Sequence, residues 1–210
     1  QNAHFTSPKI VANIYKILER LGFKYGSILE PSMGIGNFFG LLPETMATKS
    51  RLHGVELDPV TGNIARLLYP SADIRIRGFQ DVNYPDNYFD IATSNVPFGD
   101  IVIYDKTYKQ SYLTSKIHNY FFVKSIDKVK PGGVIAFITS TGTLDAKTSG
   151  DFRKYIANRA NLIAAIRLPN DTFKDNAGTE VTTDLIILQK LQQGETPKSY
   201  SWVETEEYEL

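Results

Sequence analysis

The chain has 210 residues, 42% of them hydrophobic and 22% charged, which fits one ordinary globular domain and excludes a disordered chain. Lys plus Arg equals Asp plus Glu at 23 each, so no global field draws the chain to a polyanion, and any basic surface for nucleic acid is local or lies elsewhere. Cysteine is absent, which excludes disulfides, Cys-ligated zinc and any cysteine nucleophile. In chain order, a first helix is expected from Pro8 to about Leu21, with Ser7 as its cap, Pro8 in its first turn and an apolar stripe through Ile10, Val11, Ile14, Ile17, Leu18 and Leu21. Apolar β-branched runs predict seven strands: Ser27 to Glu30, Arg51 to Glu56, Ala72 to Arg77, Phe89 to Ser94, Val134 to Thr139, Leu162 to Leu168 and Thr182 to Gln189. Further helices are expected near Asn37 to Leu42, Pro59 to Tyr69, Lys116 to Val129 and Gly150 to Arg159.

Strands that alternate with helices predict βαβ units around a parallel sheet. Between the last two strands lies only the loop PNDTFKDNAGTEV, too short for a crossover helix, so those two strands are expected to be antiparallel neighbours near the sheet edge. No apolar run approaches the ~20 residues of a membrane span, and the N-terminus lacks a signal-peptide pattern, so a cytoplasmic location is expected. The start QNAHFTSP, without an initiator Met, and the acidic end ETEEYEL read as a segment of a longer protein, and processing of a natural terminus would read the same. Residues 1–190 are expected to form the domain and 191–210 a polar linker.

Two stretches bear on ligand binding. ILEPSMGIGNF follows a strand and opens toward a helix, placing Gly34 and Gly36 where backbone turns tightly and approaches a ligand; it lacks the third glycine of the pyrophosphate fingerprint. LHGVELDP ends the next strand, where an acidic side chain can accept hydrogen bonds from both hydroxyls of a ribose. Glu56 is the candidate, because Asp58 precedes Pro59 and reads as a helix N-cap. A third stretch, SNVPFGD, leaves a strand with an amide, a proline and an aromatic; the same composition also suits a turn with no chemistry.

Taken together these motifs resemble the catalytic domain of S-adenosylmethionine-dependent N6-adenine DNA methyltransferases, over nearly the whole chain. HFTSP is similar to the family's N-terminal motif, EPSMGIGNF to its cofactor-binding glycine loop, VELDP to its acidic ribose motif, NVPFG to the tetrapeptide [DNS]-P-P-[YFW], and KPGGVIAFITS to the strand after it. More narrowly, the chain resembles the methylase segment of methylase–helicase proteins of mobile elements. The resemblance implies a Rossmann-like class I methyltransferase fold: a seven-stranded, mostly parallel sheet with one antiparallel strand and helices on both faces. It implies S-adenosyl-L-methionine as cofactor, DNA with a flipped adenine as substrate, and a recognition region outside this segment.

Residue by residue, it implies that Asn95 and the Val96 carbonyl accept the two hydrogens of the adenine amine, that Pro97 stiffens the turn and that Phe98 stacks on the base. Val96 departs from the family's first proline, but a main-chain carbonyl is supplied by any residue; what the change touches is the rigidity of the loop. Thr6, Glu30, Pro31, Ser32, Gly34, Gly36, Asn37, Phe38 and Glu56 are the implied cofactor-binding residues, with Phe79 and Asp81 (or Gln80) at the cofactor adenine and Phe173 on the target base. Methyltransferases that act on RNA base amines or on protein glutamine use a similar motif, and an inactive binding domain is a further alternative. His4, His53 and His118 are read as packing or solvent-facing residues, not as catalysts or metal ligands. The tyrosine- and lysine-rich stretch YDKTYKQSYLTSK is either a strand-contacting flap or a plain surface loop.

Overall fold

In the computed structural model, residues 6–169 and 182–206 are described. Phe173 and His4, and most of the loop between the last two strands, lie outside them. The elements run α1 (Pro8–Arg20), β1 (Ser27–Glu30), α2 (Asn37–Gly40), α3 (Glu44–Ala47), β2 (Arg51–Glu56), α4 (Pro59–Leu68), β3 (Asp73–Ile76) and β4 (Phe89–Asn95). After them come α5 (Ser111–Thr114), α6 (Ile117–Lys128), β5 (Val129–Ser140), α7 (Gly142–Asp145), α8 (Gly150–Ala157), β6 (Ala160–Arg167) and β7 (Thr183–Lys190).

One seven-stranded sheet has the order β3-β2-β1-β4-β5-β7-β6. Strands β3, β2, β1, β4 and β5 pair in parallel. Strand β7 runs antiparallel to both β5 and β6, between which it is inserted. This is the mostly parallel sheet with a reversed strand that the sequence predicts.

Alternate residues of the central strands feed opposite faces, as the pleat requires. Ile28, Ile91, Val134, Ala136 and Ile138 pack with Val11, Ile14, Tyr15 and Leu18 of α1 and Ala65 of α4. Leu29, Ala92, Ile135 and Phe137 pack on the other face with Tyr120, Phe122, Val123 and Ile126 of α6 and Phe152 and Ile156 of α8. Helix α6 is buried at every position from Ile117 to Ile126, so it forms the centre of that layer and carries His118, Asn119, Lys124 and Ser125 into it.

Several local expectations are refined. Ser7 occupies the N-cap position of α1 but makes no side-chain bond there, and its carbonyl receives the first N–H groups. Asp58 is a full cap of α4, accepting the Thr61 N–H at 2.7 Å. The four-residue helices α3, α5 and α7 were not foreseen, and β5 begins five residues before the predicted Val134, through Pro131 and two glycines. The stretch expected as a polar linker is held to the domain as far as Val203. Lys198 N–H donates to Asn161 at 2.8 Å, Val203 is 5% exposed, and Arg153, itself 1% exposed, donates to the carbonyls of Val203 (2.6 Å), Ala146 (2.9 Å) and Thr143 (3.4 Å).

Candidate active site

The order of strands reverses between β1 and β4, and a parallel sheet opens its ligand crevice at that point, beyond the carboxyl ends of the strands. The glycine loop leaves β1 there and the NVPF turn leaves β4 beside it. A side-chain bond joins them, Ser94 Oγ donating to the Ser32 carbonyl at 3.1 Å.

The loop is folded by its own backbone and by the carboxylate of Glu56. Met33 N–H donates to the Val55 carbonyl at 3.0 Å, and Gly36 N–H to the Met33 carbonyl at 2.8 Å. Gly36 has φ +89°, and a Cβ there would collide with the Tyr69 ring, whose hydroxyl donates to the Gly36 carbonyl at 2.8 Å. A Cβ on Gly34 would meet nothing within 4 Å, so this part of the loop faces open space where a ligand can approach main chain. Glu56 takes the Gly34 N–H at 2.8 Å on one carboxylate oxygen and the Asp58 N–H at 2.8 Å on the other. It therefore ends β2 directly against the glycine loop. Phe38 is buried behind the loop with its carbonyl bonded to the Tyr15 hydroxyl at 2.7 Å, while Asn37 and Ser32 are half-buried and Pro31 is buried.

Glu30 lies under this loop, 1% exposed. Burial, and secondarily the Glu56 charge, push its carboxyl well above the usual carboxylate range and so favour its neutral form. Its Oε2 is buried without a hydrogen-bond partner among the described residues. An open glycine backbone, a carboxylate at the end of β2 and an unmet buried acid form a donor and acceptor set that fits S-adenosylmethionine, which carries a ribose, an amine and a sulfonium. Thr6, 5% exposed, is buried ahead of α1.

Val96 is 1% exposed and its N–H donates to the Ile138 carbonyl at 3.0 Å, which carries the β4–β5 ladder one residue past Asn95. Asn95, Pro97 and Phe98 are half-buried at the mouth of this turn. The side of the site expected at the cofactor adenine is more enclosed. Phe79 is 3% exposed, with Phe121 at 5.2 Å and Tyr120 at 6.3 Å between ring centres and the Lys124 ammonium 5.1 Å from its ring centre. Asp81 is exposed and accepts from Gln80 Nε2 at 3.1 Å.

Lys124 itself donates to the Gln80 carbonyl at 3.1 Å and pairs with Asp105 at 3.4 Å. Burial raises the Asp105 carboxyl, but bonds from Tyr120 and Thr107 and the Lys124 charge outweigh it and leave Asp105 below its ordinary range. Sequence reading missed Lys124 and Asp105, because a lysine in an apolar helix and an aspartate in a polar loop show no local sign of pairing across 19 residues. Beside them a cavity of about 240 Å³ is lined by Gln80, Asp81, Asn83, Asp105, Thr107 and Lys124, among others. Within the flap stretch, Asp105 and Tyr108 are tied to α6, whereas Tyr104 is exposed, as are Ile101 and Val102 just before it. His53 packs edge-on to Tyr84, Tyr88 and Phe89, in keeping with a packing role.

The strand order, with its reversed seventh strand, is the fold of class I S-adenosylmethionine-dependent methyltransferases. The EcoKI M protein of a type I restriction enzyme superposes with a TM-score of 0.70 over 89% of this chain and 44% of its own, at 20% identity. A Listeria monocytogenes protein described as a class I S-adenosylmethionine-dependent methyltransferase superposes with a TM-score of 0.76 over 93% of this chain and 64% of its own, at 21% identity. Residues 2–207 match the N-6 DNA Methylase family, and the chain belongs to it. Defense against restriction protein B of Escherichia phage P1 is 30% identical over 192 residues, 89% of this chain but only 8% of that protein's length.

Proposed function

We propose that the chain transfers a methyl group from S-adenosylmethionine to the N6 amine of adenine in DNA. One observation carries the reading: Asn95 and the open glycine loop emerge side by side at the switch point, joined through Ser94 and Ser32. S-adenosylmethionine supplies an electrophilic methyl group on its sulfonium. The chain's task is to hold and prepare the amine, whose lone pair is delocalised into the purine ring. Asn95 Oδ1 and the Val96 carbonyl each accept one N–H, which favours a pyramidal nitrogen with its lone pair free for in-line attack. Phe98, at the mouth of the turn, offers a face on which a flipped base can stack. Family membership and the type I modification neighbours support DNA as the substrate, and the lack of a thiol agrees with amine chemistry that needs no covalent enzyme intermediate.

The test expresses the full-length protein and its Asn95→Ala variant in a host without adenine methylation and quantifies N6-methyladenine in digested DNA by mass spectrometry. Methyladenine with the wild type and its loss in the variant, with cofactor affinity largely kept, is the expected result. Methylated RNA bases or methylglutamine in its place would move the same chemistry to another substrate.

A further inference from the structure

Helix α6 carries in its first turn a histidine that packing does not explain. His118 is 3% exposed, and its Nδ1 accepts the Gly99 N–H at 3.4 Å; Gly99 directly follows the NVPF tetrapeptide. Acceptance at Nδ1 places the ring proton of the neutral imidazole on Nε2. Burial, with a smaller push from Lys116, lowers the ring to about 4, so the neutral form is the one present near pH 7. Nε2 is buried without a partner among the described residues. An unmet buried donor costs about 1–3 kcal/mol, which phenylalanine or leucine at the same place would avoid. The compensating feature is the bond to Gly99.

We propose that His118 is a positioning residue of the methyl-transfer site, its Nδ1 holding the Gly99 N–H and so fixing the direction in which the chain leaves Asn95–Phe98. The inference rests on the reading of those four residues as the site. The turn is secured on its entering side by the Val96 N–H on the Ile138 carbonyl, and on its leaving side by Gly99 on His118. Between these two bonds lie the Val96 carbonyl, the proline that has no N–H to give, and the Phe98 ring. Loosening the second bond frees the carbonyl and the ring to rotate together, and a misplacement of ~1 Å at a reacting group costs on the order of 100-fold in rate.

Three substitutions separate positioning from packing. In His118→Asn, Oδ1 stands as many bonds from the backbone as Nδ1 does and can accept the same N–H; in His118→Gln the acceptor is one bond too far; His118→Phe fills the ring volume with no acceptor. Each is assayed in the full-length protein for thermal stability, cofactor affinity, kcat on DNA and hydrogen exchange of residues 95–104. Expected are faster exchange and a kcat roughly 10–100-fold lower for Phe and Gln, with cofactor affinity changed by less than about twofold, and recovery of both readouts in Asn. The proposal is overturned by Phe behaving as wild type, or by Asn doing no better than Gln at equal stability. Should the wild type not methylate DNA, the functional reading fails, and the exchange difference between Asn and Phe still decides whether His118 holds the turn.

Discussion

Glu56→Gln tests the glycine loop and the proposed ribose contact together. The wild-type carboxylate satisfies two backbone donors, Gly34 and Asp58, each at 2.8 Å. A glutamine has one acceptor oxygen, so whichever way it turns its NH2 group meets an N–H. A hydrogen bond to a charged group contributes about 1.5–3 kcal/mol, and the Asp58 bond, being exposed, sits at or below the lower end. Loss of the Gly34 bond with partial loss of the other comes to about 2 kcal/mol, or a fall of about 4–8 °C in Tm for a chain of this length. The ribose hydroxyls lose a charged acceptor of the same strength, which corresponds to about 30-fold in Kd for S-adenosylmethionine. Thermal melting and isothermal titration of the cofactor read the two effects separately. A variant that melts with the wild type and binds the cofactor within about threefold would refute both roles of Glu56.

Two other substitutions probe neighbouring features. Val96→Pro restores the residue common in the family but removes the N–H that donates to Ile138, so it is expected to cost about 1 kcal/mol, or 2–4 °C in Tm, and to give no gain in kcat; a variant both more stable and faster would refute that account. Glu30 has a folded-state pKa above its unfolded value of about 4.3, so between the two values the folded state binds the extra proton and stability declines as pH rises. Glu30→Gln removes that titration, and the Tm advantage of the variant over the wild type should widen from about pH 5 upward; a constant difference would mean that Glu30 is not held protonated.

The legible parts of the sequence were those with a regular period. Strands β1 and β2 fall on their predicted residues, and α1, α4 and α6 end within one or two residues of expectation, because turn residues bound the strands, a 3.6-residue stripe marks α1, Pro59 opens α4, and α6 is a long apolar run. Helices of a single turn, such as α5 and α7, have no period to read. The placement of the glycine loop, Glu56 and the NVPF turn at one end of the sheet was legible because each sits within a few residues of a strand end. The groups that connect them were not: Lys124 to Asp105 and Gln80, and His118 to Gly99, are joined only by the tertiary fold, and an apolar helix context makes both look like accidents of packing. The tail after β7 reads as polar, yet its attachment depends on Arg153 reaching three carbonyls, two of them in the segment before α8.

The place of β7 governs when the site can be finished during synthesis. Of the seven strands of this sheet it is the last made, yet it separates β5 from β6 and pairs with both. While the ribosome is still producing residues 183–190, β6 has nothing to join and the outer edge of β5 is bare, an exposed strand edge of the kind that invites wrong partners. Strand β5 also supplies the Ile138 carbonyl on which the turn after Asn95 rests. Until residues 183–190 are in place, the strand that carries the Ile138 carbonyl is therefore held from one side alone, by β4, and the turn after Asn95, encoded near the middle of the chain, rests on a strand still short of its second neighbour.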